Sequence, residues 1–271
     1  MSDTPGTTGP ADRIRTDQPH TARIWNYWLG GKDNYEVDRR VGEQIRALHP
    51  GIGEYARADR GFLGRAVGHL AAECGIRQFL DIGTGLPSAD NTHEVAQRFA
   101  PESRVVYVDN DPTVLAHAAD LLSGSPEGHT AYLDEDLRDV DTVLERAGQS
   151  LDLRRPVALI LLGVVIFIED DEEAYGIVRR LMDALPAGSH LVLSHTVTRP
   201  GMPDVDAAVA FWNEHGTPRL TQRSPEAVAA FFDGLELLEP GVVSCNRWRP
   251  GPGGAGPVED VAMFGGVARK R

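Results

Sequence analysis

The stretch Phe79-Leu80-Asp81-Ile82-Gly83-Thr84-Gly85-Leu86-Pro87 decides the fold. A short apolar run ends in an acid, and two glycines follow, one residue apart. The run has the length of a buried strand. The glycines let the chain turn sharply and bring its backbone close to a ligand. Residues 92–99 then carry helical spacing. Strand, glycine turn and helix form the opening unit of an open parallel sheet, which binds ligands beyond the carboxyl ends of its strands.

The pattern repeats outward from that turn. Residues 104–109, 130–133, 157–162 and 189–197 read as strands, and residues 112–122, 139–147 and 170–185 as helices between them. Pro112 suits a helix start, where its missing N–H is not needed. Strands alternating with helices predict an α/β fold, a mostly parallel sheet covered on both faces. Near the end, residues 235–240 and 261–267 read as two strands with no helix between them. That predicts an antiparallel pair at the sheet edge.

The remaining regions divide simply. Residues 1–19 are rich in Ser, Thr, Gly and Pro and read as a disordered tail. Residues 20–72 carry three helical segments, with Ile24, Trp28 and Trp25 facing inward on the first. Residues 73–271 form the sheet domain. The net charge of −13 disfavours a broad nucleic-acid interface. Two cysteines, Cys74 and Cys245, are too few for a disulfide scaffold or a thiolate zinc site, and no metal site is expected. The longest apolar run, residues 157–168, is too short to span a bilayer. The amino-terminal residues lack the apolar core of a signal peptide. Together these features predict a cytoplasmic protein with no membrane partner.

Asp109 lies 28 residues after Asp81, at the end of the next strand. An acid there accepts hydrogen bonds from both hydroxyls of a ribose. The pairing points to a nucleoside-containing cofactor. A dinucleotide fingerprint has a third glycine where Pro87 stands here, and it lays a pyrophosphate on the helix start. A carboxylate at Asp81 suits a cationic ligand better. S-adenosylmethionine, with its amino group and sulfonium, therefore leads over a nicotinamide dinucleotide. A methyltransferase leads over a nucleotide-dependent oxidoreductase, and a non-catalytic cofactor-binding module is the other alternative.

The order of Asp81-Ile82-Gly83-Thr84-Gly85, Tyr107-Val108-Asp109-Asn110-Asp111-Pro112, residues 134–139 and residues 156–163 resembles the class I methyltransferase series. More narrowly, residues 19–35, residues 81–87 with Asn91-Thr92-His93, and Leu193-Ser194-His195 resemble an actinobacterial family of S-adenosylmethionine-dependent methyltransferases. The resemblance runs from about residue 15 to the end. It implies a Rossmann-like, seven-stranded sheet in the order 3-2-1-4-5-7-6 with the last strand antiparallel. It implies that Asp81 binds the methionine amino group, and that Gly83, Thr84 and Gly85 pass under the methionine. It puts Asp109 on the ribose, Asn110, Asp136 and Leu137 around the adenine, and Leu162 and Gly163 along the site. Pro87 departs from the glycine common in the wider class.

Residues 20–35 concentrate aromatic and amide side chains beside Gly30-Gly31, which reads as a hinge. They predict a lid that orders the acceptor and excludes water. Tyr27 and Tyr35 are candidate catalytic groups, and His20, Arg23, Asn26, Lys32 and Asn34 candidate acceptor or lid contacts. His195, at the end of the fifth strand, is the candidate base. His93 is a weaker one. The acidic run 169–173 reads as a helix cap. No Asn-Pro-Pro-Tyr-like signature follows the fourth strand, which argues against methylation of nucleic-acid bases and favours a small-molecule acceptor.

Overall fold

In the computed structural model, which describes residues 14–117, 124–199, 201–251 and 259–271, β1 (Gln78–Ile82) and β4 (Ala158–Leu162) pair in parallel at the middle of one sheet. Phe79, Leu80, Ile160 and Leu161 are fully buried there. Their continuous apolar reading follows from being covered on both faces. β2 (Arg104–Asp109) and β3 (His129–Asp134) extend the sheet on one side, and β5 (His190–Thr196) extends it on the other, all in parallel. β8 (Met263–Arg269) then pairs antiparallel with β5 over its whole length. Two short strands, β6 (Glu236–Leu237) and β7 (Val243–Ser244), pair with β8.

The resulting order is β3-β2-β1-β4-β5-β8-β6. It is the expected 3-2-1-4-5-7-6 order, with β8 in the seventh strand's place. The two-residue β7 is an addition that alternating hydrophobicity did not separate from its surroundings. The expected strand over 235–240 shrinks to Glu236–Leu237. It ends before Pro240, which has no N–H to give to a ladder.

Three helices precede the sheet: α1 (Thr21–Trp28), α2 (Glu36–Leu48) and α3 (Ile52–Ala72). Those that follow are α4 (Thr92–Phe99), α5 (Pro112–Ala116), α6 (Val140–Ala147), α7 (Asp171–Asp183), α8 (Pro203–His215) and α9 (Pro225–Ala229). Short polar side chains start several of them by satisfying free N–H groups. Asp111 accepts from Thr113 N at 2.8 Å, with Pro112 next to it. Asp170 accepts from Glu173 N at 2.8 Å, so the acidic run caps α7. The expected helix 112–122 is described only as α5, since residues 118–123 lie outside the described residues, as does most of the expected tail. No helix among the described residues is long and apolar enough to cross a membrane.

α3 packs Phe62, Ala66, Val67 and Leu70 as one apolar stripe. α1 and α2 are held differently. In α1 the most buried residues are Arg23, Ile24 and Asn26, while Trp25 and Trp28 are only partly buried. Arg23 Nε donates to Asp38 Oδ2 at 2.7 Å, with Arg23 2% and Asp38 0% exposed. Asp38 also accepts from the backbone N of His20 and of Tyr35, each at 2.9 Å. The other arm of Arg23 reaches the carbonyls of Arg15 and Gln18. One buried carboxylate therefore gathers the chain before α1, the helix itself and the start of α2.

Gly30-Gly31 is a clasp rather than a bare hinge. Asn26 Oδ1 accepts from Asp33 N at 3.0 Å and from Asn34 Nδ2 at 2.9 Å. A Cβ on Gly31 would sit 2.3 Å from the Asn26 amide. Only glycine lets the chain pass that close.

Breaking a buried ion pair by removing one partner leaves the other charge uncompensated. Asp38→Ala is therefore expected to lose about 3–5 kcal/mol of unfolding free energy. Urea denaturation checks this, and a loss below about 1 kcal/mol, the size of an exposed pair, would show that Asp38 does not organise this region.

Candidate active site

The carboxyl ends of β1, β2 and β4 open into a cavity of about 510 Å³, roofed by α1 to α3 and by α8. That volume lies within the usual range for small-molecule sites. The turn after β1 forms its floor. Gly83 has φ +77°, and a Cβ there would lie 2.4 Å from the Val164 side chain. Gly85 donates its N–H to Asp109 Oδ2 at 2.8 Å. Thr84 Oγ1 is buried there without a hydrogen-bond partner. Buried polar atoms are normally paired, so this hydroxyl is one that a polar ligand would satisfy.

Asp109, at the end of β2, also accepts from Asp111 N at 3.0 Å. Each of its oxygens retains lone-pair capacity for a further donor. Burial pushes its pKa up to about 6, against the pull of those two backbone N–H groups. Asp81 accepts from Thr92 Oγ1 at 2.6 Å. Burial likewise raises it to about 6, and the Thr92 bond and the nearby Arg60 charge hold it back. A third carboxyl, Asp59 on α3, is raised to about 6 by burial. Three acids in one cavity, each with a raised pKa, are a site short of positive charge.

All ten residues expected to hold the cofactor line this cavity: Asp81, Gly83, Thr84, Gly85, Asp109, Asn110, Asp136, Leu137, Leu162 and Gly163. Asn110 Nδ2 donates to Asp136 Oδ2 at 2.9 Å, so the loops after β2 and β3 meet. Of the amino-terminal candidates, His20 and Asn26 reach the cavity. His20 Nδ1 lies 2.9 Å from Asp111 Oδ2.

The other candidates do not line it. Arg23 is the structural partner of Asp38. Tyr27 donates to Glu43 at 2.5 Å, and Asn34 is taken up by the Asn26 clasp. Tyr35 is 38% exposed under the Arg23 guanidinium, and Lys32 is exposed. His93 is buried against the Tyr107 hydroxyl.

His195 is corrected most clearly. It is fully buried, stacked on Phe231 with ring centroids 6.0 Å apart, and its Nε2 sits 2.7 Å from Arg223 Nη1. Arg223 donates, so Nε2 already accepts, while Nδ1 faces Thr196 O at 2.8 Å. Its pKa is lowered to about 4, first by burial, against the pull of the Thr196 carbonyl. A base needs a free lone pair facing the reacting group, and this ring has none.

Residues that the sequence reading passed over fill the rest. Tyr55, Asp59 and Arg60 reach in from α3, His49 from the end of α2, and Trp212 from α8. A helical stripe in α3 signals burial only, and nothing local marks these side chains as facing a ligand.

Comparison with known proteins places this geometry. A family model described as S-adenosyl methyltransferase matches residues 7–271. The chain belongs to that family. A protein of the DUF574 family from Streptomyces avermitilis is 44% identical, with TM-score 0.91, covering 94% of this chain and 99% of its own. A candidate methyltransferase from Thermobifida fusca is 37% identical, with TM-score 0.85, covering 94% and 97%. A carboxy-S-adenosyl-L-methionine synthase from Chromohalobacter salexigens is 27% identical over 198 residues, which are 70% of this chain and 65% of that enzyme. The family match sets the oxidoreductase alternative aside.

The raised carboxyls carry a pH signature. In the free protein they hold protons more readily folded than unfolded. Their stabilising contribution is therefore complete below about pH 4 and lost as pH rises toward about 6. A cationic ligand prefers them ionised, so its affinity moves the opposite way. Binding of S-adenosylmethionine is expected to tighten from about pH 5 to about pH 7, by up to about tenfold per unit per carboxyl. Calorimetry across that range checks it, and Asp81→Asn should flatten the curve. A pH-independent affinity would show that these acids do not meet the positive charge.

Proposed function

We propose that this protein transfers the methyl group of S-adenosylmethionine to an apolar small-molecule acceptor. The observation that carries the proposal is a cavity with two unlike ends. Acids and backbone N–H groups gather at the strand ends, and aromatic rings from α1, α3 and α8 gather under the helical cover. The acidic end suits a cationic nucleoside. The aromatic end adjoins it without an intervening wall, which favours a transferring enzyme over a cofactor-sensing module.

The residues fit the cofactor. Asp81 faces its amino group, directly or through water, and Arg60, also in the lining, is placed for its carboxylate. Gly83, Thr84 and Gly85 run beneath the methionine part. Asp109 takes the ribose hydroxyls. Asn110, Asp136 and Leu137 flank the adenine, and Leu162 and Gly163 close the floor. When bound, the cofactor supplies an electrophilic methyl on a sulfonium.

The protein's part is to hold the acceptor in line and keep water out. Residues 20–35 serve as the cover, with His20 and Asn26 as its inner face. Tyr27 and Tyr35, outside the cavity lining, take no catalytic part. The two unpaired thiols, exposed Cys74 and buried Cys245, agree with a reducing, cytoplasmic setting.

Isothermal titration with S-adenosylmethionine, S-adenosylhomocysteine and NAD tests the cofactor class. The first two should bind, and Asp109→Ala should weaken both by roughly 10- to 100-fold, the worth of hydrogen bonds to a charged group. Preference for NAD would overturn the proposal.

A further inference from the structure

The aromatic end of the cavity holds a histidine that the cofactor does not need. His49 follows α2 and is 8% exposed. Its Nδ1 makes a short contact with Asp204 Oδ2 in the first turn of α8, across 155 residues of sequence. Its Nε2 is buried and has no hydrogen-bond partner. A carboxylate on Nδ1 fixes the tautomer that leaves Nε2 bare, with its lone pair free to accept a proton.

The surroundings select what approaches it. His49 meets Tyr55 edge to face at 6.4 Å, and Tyr55 meets Trp25 at 5.6 Å. The polar tips of these rings' neighbours are already engaged. Trp28 Nε1 donates to Gly42 O, Trp212 Nε1 donates to Pro218 O, and Tyr55 shares a hydrogen with Thr196 Oγ1. With those tips engaged, Trp28, Trp212 and Tyr55 present carbon faces to a guest. In such a setting the bare nitrogen is costly until a donor reaches it.

We propose that His49, held by Asp204, is the base for a planar aromatic acceptor bearing a hydroxyl group. This rests on the methyl-transfer reading above. The acceptor O–H gives its proton to His49 Nε2. An oxygen lone pair forms the new bond to the methyl carbon. The sulfur–methyl bond breaks with its electron pair on sulfur, leaving S-adenosylhomocysteine as a neutral thioether. The imidazolium that results is paired with the Asp204 carboxylate until it releases the proton to water. Asp204 touches no substrate and acts as a positioning residue.

The test uses 2-naphthol and naphthalene as probes, with binding read by tryptophan fluorescence in the full chain saturated with S-adenosylhomocysteine. Wild type should favour 2-naphthol by about tenfold, the worth of one buried hydrogen bond. His49→Phe keeps a ring in place and should bind the two probes alike. Nitrogen NMR of the imidazoles adds a readout independent of turnover. His49 should carry its proton on Nδ1, Nε2 should shift on adding 2-naphthol, and Asp204→Asn should mix the tautomers. An unchanged hydroxyl preference in His49→Phe, a proton on Nε2, or failure of both probes to bind would overturn the proposal. Calorimetry with S-adenosylhomocysteine on the same variants separates the two readings. Its binding should survive both substitutions, and failure of wild type to bind it would sink the methyl-transfer reading instead.

Discussion

The cover over the cavity depends on the ion pair between Arg23 and Asp38. Both side chains are out of water, and each satisfies several partners beyond the other. Such a pair contributes little net stability over a well-packed apolar alternative. Its effect is to specify an arrangement. An apolar side chain in place of Arg23 would tolerate several ways of laying α1 on α2. A guanidinium fork and a carboxylate with defined bond directions tolerate few. The position of α1 then decides which of its residues reach the cavity. His20 and Asn26 do, and Tyr27, one residue on from Asn26, turns out to Glu43.

Beneath that cover the sheet imposes its own division. Both faces of β1 and β4 are buried, so polar chemistry is confined to the strand ends. Asp81 and Asp109 occupy equivalent ends of neighbouring strands, with Asp81 in register with Tyr107 one strand over. Burying two carboxyls there is unfavourable for the free protein, and the nearby Arg60 and His20 offset it only in part. That cost is relieved when a cationic ligand arrives. The same desolvation that raises their pKa values strengthens every interaction they then make.

The fold and the strand-end lining of the cavity were legible because their signals are local. Asp81 to Gly85 and Asp109 each sit at a strand end that the apolar runs mark, and parallel topology brings those ends together. The edge strands were less legible, since two-residue strands such as β7 carry no period. His195 was misread for a definite reason. Side chains along a strand alternate between faces. Thr196 meets Tyr55 at the cavity, while His195 faces the other way onto Phe231 and Arg223. A strand end supplies the right depth and says nothing of the face. The amino-terminal motif was read as function by composition. Much of it, Arg23 and Asn34 above all, is used in holding the motif together.

Tyr55, Asp59, Arg60 and the His49–Asp204 pair were not legible, because helix docking rather than sequence spacing assembles them. His49 caps the end of α2, just before Pro50 and Gly51. The same turn also places its ring beside α8, whose first turn offers Asp204. A single residue thus ends one helix and faces a ligand chamber. The chamber's two ends are thereby built by two different means. The acidic end belongs to the sheet, whose topology fixes it. The proposed acceptor end draws on α1, α2, α3 and α8, whose side chains reach it across helix contacts.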